Sequence, residues 1–155
     1  MVATTNQKKC LALPARAVKF PDYSIGTLYV HECGTEMPRR PSWWNFASTP
    51  WHLGFPGMPV TDGTLAQLGG IPNLVELDLS GTQITDAGVK HLESFPRLQH
   101  LHLAGTQVTN RCLESITKFK CLRTLVVEGT GISKAGVAEI QNALPACEIL
   151  PDEDW

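Results

Sequence analysis

The chain has 155 residues, 43% of them hydrophobic and 18% charged, with a formal net charge of -2. That is the composition of a globular domain with a core of its own, and it excludes a disordered polyelectrolyte. The near-neutral balance gives no electrostatic reason for nucleic acid as a partner, and no run of about 18 apolar residues supports a membrane-spanning helix.

The first stretch, "MVATTNQKKCLALPARAV", pairs two lysines with an apolar patch, but Pro14 and Arg16 interrupt it. A secretory signal is therefore not expected; residues 1–21 contain no acid, so a transit peptide stays open as the alternative. "IGTLYV" (25–30) alternates as a strand does and reads as a first, capping strand. The following "HECGTEMPRRPSWWNFASTP" has no helical period and is rich in Pro, Trp and Ser, so an irregular loop is expected there. A further strand is expected around Leu53 and Phe55, which lie 24 residues before Leu77 and Leu79.

From residue 58 the chain repeats itself. "VTDGTLAQLGGIPNLVELDLSG", "ITDAGVKHLESFPRLQHLHLAG" and "VTNRCLESITKFKCLRTLVVEG" share one pattern, and "ISKAGVAEIQNALPACEIL" begins a fourth copy. Val60, Ile84, Val108 and Ile132 fall at a constant spacing of 24. In each copy a short L-x-x-L-x-L strand follows a stretch whose apolar residues recur every three or four positions, as in Val89, Leu92 and Phe95. Thr61, Thr85, Thr109 and Ser133 precede those helical stretches, where a hydroxyl caps orphan N–H groups. One such unit cannot bury its own apolar face, so neighbouring units must stack.

"SGTQITDAGV" (80–89) and "AGTQVTNRCL" (104–113) resemble the bacterial variety of leucine-rich repeat, whose unit reads G-T-x-[IV]-T-D-A-G-[LV]. The resemblance implies an α/β leucine-rich-repeat solenoid, with parallel strands on a concave face and helices on a convex one. It divides the chain into an irregular Trp/Pro-rich N-terminal cap (1–57), the repeats (58–150) and an acidic tail (151–155). Many members place Asn after the strand; Thr82, Thr106 and Thr130 stand there instead, with hydroxyls expected to satisfy backbone groups of the turn. The resemblance also implies a non-enzymatic protein-interaction module that needs no cofactor.

Register then predicts which side chains share a column on the concave face. One column reads Thr27, His52, Glu76, His100, Thr124; the next Tyr29, Gly54, Asp78, His102, Val126; the third His31, Pro56, Ser80, Ala104, Glu128. Partner contact is expected through His52, Glu76, Asp78, His100, His102, Thr124 and Glu128. Arg39, Arg40, Trp43 and Trp44 of the aromatic loop offer a second contact, since Trp and Arg anchor interfaces; the competing reading has these rings, with Phe46, Trp51 and Phe55, plugging the open end of the core.

Two His with a carboxylate is also the ligand set of many zinc and iron sites, or an acid–base pair. Flat strands, however, hold such side chains parallel, while metal ligands converge, so no metal or catalytic residue is expected. A third reading is a substrate-recognition arm of a ubiquitin-ligase-like assembly, which would need a helical adaptor-binding segment that residues 1–50 do not pattern. His31 and Cys33 form an H-x-C that lacks a fourth ligand. No G-x-S-x-G, P-loop, H-E-x-x-H or G-x-G-x-x-G motif is present.

The five cysteines, Cys10, Cys33, Cys112, Cys121 and Cys147, are odd in number and form no C-x-x-C. Free thiols in a reducing compartment are expected, hence a cytoplasmic location. Cys112 replaces the glycine of matching positions Gly88 and Gly136 and should pack closely. Cys121 matches Asn73 and Arg97 and should be exposed, as should "KFK" (118–120) and Lys90. The partner is another protein, with no nucleic acid or membrane, and the chain is a monomer or weak dimer.

Overall fold

A computed structural model describes residues 16–18, 26–31, 51–68 and 73–151, the first two groups as strand backbone only. Its strands are β1 (Arg16–Val18), β2 (Gly26–His31), β3 (Trp51–Gly54), β4 (Leu74–Asp78), β5 (His100–His102), β6 (Thr124–Val126) and β7 (Glu148–Leu150). They lie side by side in chain order in one sheet. β1, which no sequence pattern announced, runs antiparallel to β2. Every later pair is parallel. Parallel neighbours need a crossover, and from β3 onward it is supplied by the helices α1 (Asp62–Leu68), α2 (Asp86–His91), α3 (Leu113–Ile116) and α4 (Lys134–Ala143). No helix among the described residues is long and apolar enough to cross a membrane.

The L-x-x-L-x-L pattern explains the core directly. Leu74, Leu77 and Leu79, then Leu98, Leu101 and Leu103, then Leu122, Leu125 and Val127 are all buried. Leu101 is paired between Leu77 and Leu125 and has no exposed surface. Burying one such side chain stabilises the stack by about 2 kcal/mol. Val89, Leu92 and Phe95 close the core from the helical side, although α2 ends at His91 and a 3₁₀ turn, Leu92–Ser94, carries the last part. Phe119 is likewise buried, so of "KFK" only Lys118 and Lys120 are solvated. It fills in its repeat the place of Phe95, a position the charged neighbours obscured.

Between repeats the chain makes the same turn each time. Gly81, Gly105 and Gly129 take φ of 68°, 65° and 64°, the left-handed region open to glycine. Their amides link the turns: Gly81 N–H donates to Ala104 O at 2.7 Å and Gly105 N–H to Glu128 O at 2.8 Å. Thr82, Thr106 and Thr130 donate their hydroxyls to the carbonyls of Leu79, Leu103 and Val127 at 2.6–2.7 Å. The expected structural role of these threonines is observed.

The helix starts hold a second ladder. The side chains of Thr85 and Thr109 accept from Ala87 N–H and Arg111 N–H at 3.3 Å, and that of Ser133 from Gly136 N–H at 3.2 Å. Thr61 differs, exchanging its bond with the Thr64 hydroxyl at 3.1 Å. Thr85, Thr109 and Ser133 are themselves held from the preceding repeat. Asp62 accepts the Thr85 N–H at 2.9 Å and its hydroxyl at 2.5 Å. Asp86 does the same for Thr109, at 2.6 and 2.8 Å. Asn110 accepts the Ser133 N–H at 2.9 Å and donates its amide to the Ser133 hydroxyl at 2.9 Å.

This ladder gives the glycine of T-D-A-G its reason. A Cβ on Gly88 would lie 2.3 Å from Asp62 Oδ1, and one on Gly136 2.5 Å from Asn110 Oδ1. In the repeat where Cys112 stands instead, the first turn is 3₁₀ (Asn110–Cys112) and α3 has only four residues. Asn73, read as an exposed position, is buried and receives the Arg97 guanidinium at 3.1 Å.

Candidate interaction face

One side of the sheet packs on the core; the other carries the polar columns. Pairing places Thr27, His52, Glu76, His100 and Thr124 in one row and Tyr29, Gly54, Asp78, His102 and Val126 in the next; the step is 24 residues from β3 onward and 25 from β2 to β3. Backbone bonds from Gly57 to Ser80, Gly81 to Ala104 and Gly105 to Glu128 extend the register into the third row. Both main rows continue one strand further than the sequence reading took them, to Glu148 and Leu150 of β7. Adding 24 to Thr124 and Val126 reaches both residues; the irregular end of the fourth copy hid them. There Leu144 and Cys147 are the buried residues, one position beyond the places that Phe119 and Leu122 imply.

The side chains of this face are linked across strands. Glu76 lies at its centre: one carboxylate oxygen meets His52 Nδ1 in a short contact, and the other is 3.8 Å from His102 Nε2. The second contact is diagonal, because the partner directly opposite Glu76 is His100. His100 turns away, its Nδ1 lying 3.1 Å from the Thr124 hydroxyl. Asp78 accepts the Ser80 N–H at 2.9 Å and so supports the turn after β4. These side chains are half-buried, whereas Glu128 and Glu148 are exposed.

The structure thus brings His52, Glu76 and His102 closer together than a flat sheet would, because the glutamate is long enough to reach both neighbouring strands. Its two oxygens serve two different imidazoles rather than one point in space. Among the described residues no group of three or more His, Cys, Asp or Glu is placed to hold a metal ion.

The thiols differ by environment. Burial is the main cause that pushes the Cys112 thiol up from 9.0 to about 12, and the Asp86 carboxylate beside it adds to the shift. Burial also raises Cys147, with a smaller contribution from Glu148. Cys121 is exposed and Cys112 and Cys147 are buried, all three unpaired with one another. Arg39, Arg40, Trp43 and Trp44 lie outside the described residues, as do Cys10, Cys33 and Phe46.

Strand, turn and helix recurring every 24 residues on a parallel sheet define a repeat-protein solenoid. Residues 72–118 match the family model described as leucine-rich repeats (2 copies). Among solved structures, a leucine-rich-repeat protein of Leptospira interrogans is similar at 25% identity and a TM-score of 0.42, over 74% of this chain and 33% of that one. The chain therefore spans about a third of the length of that structure. No curated protein matches.

Proposed function

We propose that the chain is a non-enzymatic protein-interaction module whose partner lies across the concave face of its sheet. His52, Glu76, Asp78, His100, His102, Thr124 and Glu128 make the contact, with Arg39, Arg40, Trp43 and Trp44 as a second one beside the repeats. The observation that supports this reading is a contrast in repetition. Leucine, glycine and threonine recur at their places from copy to copy, while the open-face rows change residue at almost every step. A position that must satisfy the fold is held constant by the fold; a half-buried polar row that changes is shaped for something outside it. Leucine-rich repeats generally mediate contacts between proteins, which supports this reading.

The test is site-specific photocrosslinking, with the crosslinker at His100 on the open face or at Lys90 on the helical side. Discrete adducts at His100, absent at Lys90 and suppressed by Glu128→Lys, are expected in extract from the source cells. Equal labelling from the two positions would refute a dedicated face.

A further inference from the structure

His52, His100 and His102 stand on the open face and flank the two carboxylates of β4, Glu76 and Asp78. Those carboxylates project from one side of one strand, two residues and about 7 Å apart, where like charges repel. Among the described residues no Lys or Arg lies within ion-pair distance of either. The lysine ion pairs are on the helical side, where Lys118 meets Glu93 at 3.2 Å and Glu114 at 3.6 Å. The groups that meet Glu76 are imidazoles, and imidazole is the side chain whose charge changes between about pH 5 and 8.

The two contacts differ in closeness. His52 already meets one Glu76 oxygen through Nδ1, whereas His102 Nε2, at 3.8 Å from the other, is too far for a hydrogen bond. A neutral imidazole donates from one nitrogen and accepts at the other; a charged one donates from both. Charging therefore gives both rings a charge-assisted bond to the same carboxylate. Around them, Thr27 stands opposite His52 on β2 with Tyr29 on the diagonal, and Val126 stands beside His102 on β6. Asp78 lies directly opposite His102, with its carboxylate on the Ser80 N–H. His100 lies opposite Glu76 and turns to Thr124. Farther off, Glu148 ends the Glu76 row, Arg123 stands just ahead of β6, and Arg16 pairs with His31 outside that row.

We propose that His52, Glu76 and His102 form a proton-operated staple across β3, β4 and β5, closed when the two imidazoles are charged and open when they are neutral. Proton uptake draws His102 Nε2 onto the second carboxylate oxygen and offsets the repulsion between Glu76 and Asp78. Loss of the protons leaves both carboxylates uncompensated. The contribution to stability is thus present at the acid end of the imidazole range and is lost as pH rises through it. His100, charged over the same range two residues from His102, opposes the closure, so the pairs with Glu76 must be isolated from it. The device needs no partner; it goes beyond the reading above, and its failure would leave that reading standing.

Double-mutant cycles on the full-length chain, read by urea unfolding at pH 5.5 and at pH 8.5, provide the isolation. Glu76→Gln removes the charge and keeps the shape. It is combined with His102→Ala, with His52→Ala and, as a control, with His91→Ala at the exposed end of α2. The coupling of Glu76 to His102 is expected to be worth about threefold in the folding constant at pH 5.5 and to vanish at pH 8.5. The coupling to His52 is expected to fall in the same direction, and that to His91 to be absent at both. Hydrogen exchange needs no double variant: protection of the β3–β5 amides, relative to those of β6 and β7, should rise toward acid pH in the parent and not in Glu76→Gln. A His102 coupling that is equal at the two pH values, larger at pH 8.5, or matched by His91 overturns the proposal. Exchange protection that Glu76→Gln leaves unchanged overturns it as well.

Discussion

Two polar ladders cross this molecule at the same 24-residue interval, and they differ in kind. At the helix starts, Asp62, Asp86 and Asn110 each hold the hydroxyl residue 23 positions ahead through the same two atoms. On the open face, Glu76 meets His52 and His102, His100 meets Thr124, and Asp78 serves its own turn. The first ladder satisfies backbone amides that would otherwise be orphaned, so its N–H bond recurs at every rung, and only the hydroxyl bond reverses direction where Asn110 replaces Asp. In the second, strand backbone is already paired within the sheet, so its side chains are free to differ. Identity under translation marks positions that the backbone requires; difference under translation marks positions that it leaves open.

Substitutions can break this contrast. The largest effect is expected for Gly88→Ala, whose Cβ would meet Asp62 at 2.3 Å and Ile84 at 2.8 Å; urea unfolding should show a loss of about 3 kcal/mol. Cys112→Ala, in the repeat whose first turn already accommodates a side chain, should change stability by less than about 1 kcal/mol. Similar losses in the two would show that close approach of the carboxylate is not what selects glycine.

Next comes Asp86→Ala, which strips the Thr109 N–H of its acceptor and should cost about 2 kcal/mol. Glu76→Ala and His102→Ala, tested by the same denaturation, should each stay within about 1 kcal/mol. If the open-face variants prove the more damaging, the assignment of the two ladders is reversed.

Cys112 provides a pH test. Above 9.0 the unfolded thiol gives up its proton, while the folded one keeps it until about 12. Unfolding then releases a proton, so this contribution to stability is complete below pH 9 and is lost as pH rises toward 12. Wild type should lose about 1 kcal/mol more than Cys112→Ala between pH 9 and 10. At pH 8, alkylation followed by peptide mass spectrometry should mark Cys121 well before Cys112 or Cys147.

The smallest expected effect is none. Dialysed protein should retain no stoichiometric zinc or iron, and His100→Ala/His102→Ala should not alter its metal content. Stoichiometric metal lost in the double variant would turn the open-face histidines into a metal site.

Much of the fold was legible because stacked repeats translate sequence period into spatial register. Val60, Ile84, Val108 and Ile132 announced the step, and adding 24 was enough to align His52, Glu76, His100 and Thr124 before any coordinates. The contacts within those rows were not legible. Spacing places Glu76 opposite His100, but its side chain goes to His52 and, diagonally, to His102, a choice that depends on side-chain reach and competing acceptors. Glu148 and Leu150 escaped because a one-residue offset in the buried positions of the last copy masked a strand that keeps step.

By itself the sequence determined the unit, its length and its inward and outward faces, since these follow from local period and from the need of each unit to bury its leucines against the next. Only the tertiary structure decided why T-D-A-G needs its glycine and which carboxylate answers which hydroxyl or imidazole. Those bonds join residues about one repeat apart, and they exist only once neighbouring units are stacked at the distance their buried side chains impose.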